Sequence, residues 1–213
     1  MIAPEGKVIL IPLFFITIIA FWIQNSYPSV WLYRLNWILL IFLLFCLYFF
    51  RIPVRSTNSD SHHFLSPADG KVVQIIPVND PDLGDVTQIS IFLSVFNVHK
   101  QWIPLSGTVV SKKVYPGKFL AAFNHKASLE NEQTWTIFKD DLGNTYKTKQ
   151  IAGLIARRII NHLKSGDEVI RGGKLGFIRF GSRVDILIPD NFQIFVKVGD
   201  RVKGGETTIG TFK

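Results

Sequence analysis

Two apolar runs near the N-terminus, Val8 to Ile23 and Leu35 to Phe50, constrain this chain more than anything else in it. Each is nearly free of charge, and the turn-like stretch Gln24-Asn25-Ser26-Tyr27-Pro28-Ser29 lies between them. A bilayer-spanning helix needs about 20 apolar residues, with a lower limit near 17. Extending the first run to Gln24 and the second back to Val30 reaches that length. Aromatic residues (Trp22, Tyr27, Trp31, Tyr33, Trp37, Tyr48) crowd the ends of the runs, as interfacial belts do. The pattern predicts a membrane α-hairpin. A cleaved secretory leader fits less well, because only Lys7 precedes the first run and no small-x-small site stands before Asn25. Lys7, Arg51 and Arg55 fall on one side of such a hairpin, and the positive-inside rule makes that side cytoplasmic. The expected location is the cell membrane, with the rest of the chain facing the cytoplasm.

The formal net charge of +8 points to an anionic partner, and next to a membrane hairpin that partner is anionic lipid rather than nucleic acid. The single cysteine, Cys46, excludes an internal disulfide framework and a multi-cysteine zinc site, and no metal is expected. Scattered cations such as Lys100, Lys112, Lys113, Arg157 and Arg158 read by default as solvated faces.

After the polar, proline-broken Arg51 to His63, β-type segments alternate with Gly and Pro turns. They are Lys71 to Val78, Thr87 to Phe96, Gly107 to Val114, Thr134 to Phe138, Thr145 to Thr148, Val184 to Ile188 and Phe192 to Val198. Gln150 to Leu163 fits a strand about as well as a helix; Gly153 favours a strand that ends in a short helical turn. The domains expected are a two-helix anchor over 1–55 and a β-rich soluble domain over 56–213.

An internal repeat is visible. Gly166-Asp167-Glu168-Val169, then Gly172-Gly173 and Gly176, matches Gly199-Asp200-Arg201-Val202, then Gly204-Gly205 and Gly210. Upstream, Ser66 to Val73 echoes Pro104 to Val110. Two copies of one small β unit follow. The Gly-Asp-x-Val turns resemble those of biotinyl- and lipoyl-type proteins, so the expected fold is a duplicated hybrid barrel.

Four residues could carry chemistry: Asp69 in a Pro-x-Asp-Gly turn, His99 ending an apolar run, His125, and Ser182 behind Gly181. Each has a plain structural reading: a turn pair, a hydrogen-bonded core histidine, a loop histidine, a strand bulge.

They gain weight as an ordered set. Ser66-Pro67-Ala68-Asp69-Gly70, Phe96-Asn97-Val98-His99 with Pro104, Asn124-His125 through Glu130-Asn131-Glu132, Gln150-Ile151-Ala152-Gly153 and Phe180-Gly181-Ser182 together resemble the phosphatidylserine decarboxylase family in its short form. The resemblance implies a self-cleaving proenzyme. Ser182 Oγ would attack the Gly181 carbonyl, and the resulting ester would eliminate. Hydrolysis would then leave a pyruvoyl group at position 182, a large chain 1–181 and a small chain 182–213 that stay partners. Such a cofactor is needed because no ordinary side chain absorbs the electrons left when carbon dioxide departs from an amino acid. The resemblance further implies a Schiff base between substrate amine and pyruvoyl carbonyl. It places Asp69 in self-cleavage, makes His99 the proton donor to Cα, and puts His125 at the substrate.

Two departures stand out. Long-form members carry a second histidine three positions after the one matching His99, where this chain has Trp102, so either His99 or Asp69 must activate Ser182. Their Leu-Gly-Ser-Thr is Phe180-Gly181-Ser182-Arg183 here, and Arg183 becomes a candidate contact for the lipid phosphate. The expected reaction is phosphatidylserine decarboxylation. The other readings are the same chemistry on an archaeal ether lipid, a non-catalytic membrane-tethered adaptor, and a serine hydrolase. Ser182 is not in Gly-x-Ser-x-Gly, which argues against a nucleophile elbow. Whether the chain forms a homo-oligomer is open at this stage.

Overall fold

The computed structural model describes residues 1–57, 60–117, 131–153, 158–179 and 182–213. They divide into two compact units, Met1–Val54 and Arg55–Lys213.

The first unit is a helical hairpin. After a single 3-10 turn at Pro4–Gly6, α1 (Lys7–Ser26) and α2 (Val30–Phe49) are both long and apolar enough to cross a membrane, with mean hydropathies of 2.3 and 2.0. Asn36 of α2 clamps the pair by donating to the Gln24 side chain and to Ala20 O of α1. The open end is tied through Ala3 N to Phe50 O (2.7 Å) and Ile52 N to Met1 O (2.6 Å). Lys7 and Arg51 thus lie at the same end of the hairpin.

The second unit is a strand-rich, curled-sheet domain. Its strands among the described residues are β1 (His63–Leu65), β2 (Gly70–Asp80), β3 (Gly84–Leu93), β4 (Lys100–Trp102), β5 (Gly107–Tyr115), β6 (Gln133–Asp140) and β7 (Thr145–Ala152). Then follow β8 (Ile159–Ile160), β9 (Glu168–Val169), β10 (Lys174–Ile178), β11 (Ser182–Ile188), β12 (Phe192–Ile194), β13 (Arg201–Val202) and β14 (Thr208–Phe212). The segment from Gln150 resolves as the end of β7 and then β8. No helical turn occurs among the described residues of this segment, and residues 161–163 have no regular structure.

One large sheet runs in the order β13-β2-β3-β11-β7-β6-β5-β9, and two small ones run β1-β14-β12 and β4-β10-β8. Read inward from its two edges, the large sheet repeats itself: β13, β2, β3, β11 on one side and β9, β5, β6, β7 on the other. The small sheets correspond in the same way. Even single bonds recur. Gly199 N donates to Val72 O as Gly166 N does to Val109 O, both at 2.8 Å, and Val72 N meets Asp200 O as Val109 N meets Asp167 O, both at 2.9 Å. Each copy carries a register shift at the matching place, Val72/Gln74 and Val109/Ser111.

The second copy, β4 to β10, is continuous in the chain. The first is split, with β1 to β3 before it and β11 to β14 after it. In the second copy a tight turn joins β6 to β7, closed by Asp140 N to Asn144 O at 2.9 Å and Asn144 N to Asp140 Oδ1 at 2.7 Å. In the first copy the corresponding strands β3 and β11 pair at Leu93 and Ser182, but the chain does not turn there. It leaves at Leu93, builds the whole second copy, and returns at Ser182. Ser182 is therefore the seam at which the chain re-enters the first copy.

Alternation along the strands sends Val184, Ile186 and Ile188 of β11, with Ile89, Ile91 and Leu93 of β3, into one core. Phe64 and Phe138 pack on Tyr146 within it, at ring distances of 4.9 and 5.0 Å. The opposite parity of the central strands is polar and also buried: Arg183, Asp185, Ser90, Lys147 and Asp80.

Candidate active site

Ser182 opens β11 between Leu93 of β3 and Ala152 of β7, both core residues. Its parity is that of Val184 and Ile186, so the side chain belongs to the apolar face. It is fully buried, and its Oγ finds no hydrogen-bond partner among the described residues. An unpaired buried hydroxyl costs about 1–3 kcal/mol. Native structures retain such groups where chemistry needs them. The side chains of Leu93 and Ala152 offer the hydroxyl nothing to pair with. Gly181, Phe180 and His125 lie outside the described residues.

His99 stands just before β4. The 94–98 connection is shaped by Asn97, whose Oδ1 accepts from Ser94 N (2.9 Å) and Ser94 Oγ (2.8 Å). The imidazole is fully buried, with Nδ1 2.9 Å from Asn97 O. A carbonyl only accepts, so Nδ1 carries a proton. The His99 carbonyl accepts from Ile178 N at 3.2 Å, which ties it to the end of β10, four residues before Ser182. It also accepts from Gln101 Nε2 (2.6 Å), the head of a buried amide chain. Gln150 donates to Gln101 (3.0 Å), and Asn161 to Gln150 (2.8 Å). Sequence reading missed Gln101 and Asn161; amides in apolar strands were the available signal.

Asp69 precedes β2 at the same end of the sheet. Lys71 pairs with Phe92, and Phe92 with Arg183, so Asp69 and Ser182 are separated by two strand spacings, about 10 Å of backbone. Gly204 N donates to Asp69 Oδ1 at 2.8 Å. Arg55 Nη2 reaches both carboxylate oxygens, at 3.0 and 2.9 Å, and no imidazole is among the partners of Asp69 in the described residues. Trp102 occupies the place of the long form's second histidine. Its ring lies on the Gly204-Gly205 turn and under two cations, with Arg55 Cζ 5.2 Å and Lys100 Nζ 5.1 Å from its centroid. Burial, together with the charges of Lys174 and Arg55, pushes the Lys100 ammonium below its ordinary pKa.

Arg183 corrects the sequence reading. It is 2% exposed, its Nε bonds Asp185 at 2.6 Å, and its Nη2 bonds Ser90 Oγ (2.6 Å) and Gln74 Oε1 (3.2 Å). A buried guanidinium with these donors committed anchors the start of β11; it is not presented to a lipid phosphate. Burial raises the Asp185 carboxyl above its ordinary pKa against the pull of Arg183.

The family model described as phosphatidylserine decarboxylase matches residues 42–210. The chain belongs to that family. It is 46% identical over 173 residues, 81% of each chain, to the phosphatidylserine decarboxylase proenzyme of Chlorobium chlorochromatii (strain CaD3). It is 47% identical over 172 residues, 80% of each chain, to that of Syntrophotalea carbinolica. That of Geobacter metallireducens is 42% identical over 168 residues, 78% of this chain and 77% of its own. These relatives are named as proenzymes, and neither the adaptor nor the hydrolase reading gains from them.

Proposed function

We propose that this chain is a membrane-attached proenzyme that cuts itself between Gly181 and Ser182 and then decarboxylates phosphatidylserine to phosphatidylethanolamine. One observation carries the reading: a fully buried serine hydroxyl with no partner among the described residues, at the seam between two copies of one β unit, in a chain of this family.

Self-cleavage begins when Ser182 Oγ gives up its proton and attacks the Gly181 carbonyl carbon; the Gly181–Ser182 C–N bond breaks, and its nitrogen takes a proton as the ester forms. Loss of the Ser182 Cα proton then expels the Gly181 carboxylate from Cβ. One water replaces the freed nitrogen as ammonia leaves, and residue 182 ends as a pyruvoyl group. That group supplies the electron-accepting carbonyl the substrate amine needs.

The protein does the rest. The seam makes the cut tolerable, because β11 keeps Leu93 to Thr87 on one side and Ala152 to Lys147 on the other. The Arg183–Asp185–Ser90 contacts hold the new end of the small chain in place. His99, an imidazole held through Nδ1 on Asn97 O, is suited to carry a proton to Cα. Asp69 is assigned to self-cleavage. The apolar flank of Leu93 and Ala152 excludes water from position 182.

The matching bonds of the two copies support a duplicated hybrid barrel as the origin of the fold. The two apolar helices support an anchor over roughly the first 55 residues, with Lys7, Arg51 and Arg55 favouring a cytoplasmic catalytic unit. A tethered site needs to reach only headgroup depth for a substrate that stays in the leaflet.

Intact-mass analysis of the purified protein tests the reading. The 24.2 kDa chain should be replaced by two, 1–181 and a small chain from 182 blocked by a pyruvoyl mass. Ser182→Ala should leave one uncut chain without decarboxylase activity. An uncut wild-type chain would overturn the proposal. Assays on vesicles of ester or ether phosphatidylserine analogues decide the lipid class.

A further inference from the structure

We infer that Arg55 is a positioning residue for self-cleavage, the cation that fixes the Asp69 carboxylate where long-form relatives would offer a second imidazole. The inference rests on the reading above that Gly181–Ser182 is cut.

Arg55 is the first residue of the second unit and sits in a stretch that reads as linker, so nothing in the sequence singles it out. Yet its side chain is only 9% exposed, and that of its partner Asp69 11%. Nη2 spans both Asp69 oxygens, Nη1 reaches Glu206 Oε2 at 3.3 Å, and the guanidinium lies over the face of Trp102. Planar guanidinium suits this seat, since it pairs with a carboxylate and stacks on an indole at once. With Gly204 N on Oδ1, the carboxylate is held from two directions.

The other copy of the unit shows that the fold does not require this pair. Ser106 stands where Asp69 stands, one residue before the glycine that opens the strand, and its Oγ accepts from Arg171 N at 3.0 Å, the bond that Gly204 N makes to Asp69. That copy keeps the backbone bond with a neutral hydroxyl. The acid and its guanidinium occur together, in the copy whose seam is cut. Trp102 explains the exchange of partner: its indole fills the histidine's place, has no basic nitrogen to take a serine proton, and offers a face that holds a cation.

The test times processing of the full-length chain after synthesis in the presence of lipid or detergent, following the ratio of uncut to cut chain by intact mass. Arg55→Ala should slow cleavage by roughly 100-fold, the scale of a misplaced catalytic group. Arg55→Lys, which keeps the charge but loses the planar fork, should recover only part of the rate, and millimolar ethylguanidinium added to Arg55→Ala should recover part of it as well, provided Asp69 is intact. The double variant Arg55→Ala/Asp69→Asn should be no slower than Asp69→Asn alone, because Arg55 acts through that carboxylate. Cleavage of Arg55→Ala at the wild-type rate, or a double variant markedly slower than Asp69→Asn, overturns the inference. If Arg55→Ala shows no thermal unfolding transition, the Arg55→Lys and Asp69→Asn rates decide: a folded Arg55→Lys as slow as Asp69→Asn overturns it too. An uncut wild-type chain sinks the parent reading instead, so the two failures are distinguishable.

Discussion

The two copies of the β unit share their strand order, their bulges and their turn bonds, yet their corners differ. At the first copy's corner Asp69 and Gly204 meet Trp102, which comes from the second copy; the second copy's corner has Ser106 and Arg171, with Leu65 reaching in from the first. Trp102 N bonds Pro67 O at 2.9 Å, as Leu65 N bonds Pro104 O at 3.2 Å, so the backbone frame is common and only side chains changed. A carboxylate, an indole and a buried cation meet at one corner, whereas the other is a plain turn. The corner with the carboxylate belongs to the split copy, whose chain resumes at Ser182.

The sharpest way to break that contrast is to exchange the corners. Asp69→Ser turns the first corner into the second while keeping an acceptor for Gly204 N. Self-cleavage should fall by about 10²–10⁴-fold, the range for losing a proton-transfer group. Ser106→Ala, which removes only the equivalent neutral acceptor, should process at close to the wild-type rate and lose about 1 kcal/mol of stability. Equal losses of cleavage in the two variants would mean that the corners serve the fold alike and that Asp69 has no special part.

Next in size is packing. A Cβ at Gly204 would overlap the buried Trp102 ring, whereas the matching position in the other copy carries the full side chain of Arg171. Gly204→Ala should cost about 1–3 kcal/mol by overpacking, and it should also slow cleavage because the displaced amide serves Asp69. In a Trp102→Leu background, which imitates Leu65, the same alanine should be tolerated. Chemical denaturation of the four proteins gives the coupling, expected at about 1–3 kcal/mol. A coupling near zero would separate the glycine from the indole.

Much of the plan was legible in the sequence, for reasons the strands make plain. Segments of eight or more residues such as β2, β3, β5 and β6 carry a period-two signal, and the Gly-Asp-x-Val turns announce the duplication. Strands of two or three residues, including β4, β8, β9 and β13, have too few positions for any period, and only their partners define them. The motif residues Asp69, His99 and Ser182 could be read, but the corner that Arg55 completes could not, since the guanidinium comes from a linker 14 residues away. Arg183 misled for a related reason. A charged residue beside a functional serine suggests a ligand contact, whereas pleat and register turn this one toward Asp185, Ser90 and Gln74.

The smallest expected effect probes the two copies at their centre, where equivalent positions bear opposite charge. Lys147 of β7 corresponds to Asp185 of β11, and both are fully buried. Lys147 is served by Asp80 and Asp82, the latter at 2.7 Å, while Asp185 has Arg183. Burial pushes the Asp80 carboxyl up, but the Lys147 bond, a backbone amide and Lys149 together hold it below its ordinary pKa. Its contribution to stability is therefore complete above the unfolded value of about 3.9 and is lost as pH falls through the lowered folded value. Asp185 has the opposite sign: with its folded pKa raised, its contribution is complete in acid and is lost as pH rises from about 3.9 through the raised value. Urea midpoints measured across this range should thus lose their acid limb in Asp80→Asn and their fall toward neutrality in Asp185→Asn. Using uncut Ser182→Ala as the background keeps processing out of the measurement. Parallel pH profiles in the two variants would show that the two central carboxylates are not set separately, Asp80 by Lys147 and Asp185 by its burial beside Arg183.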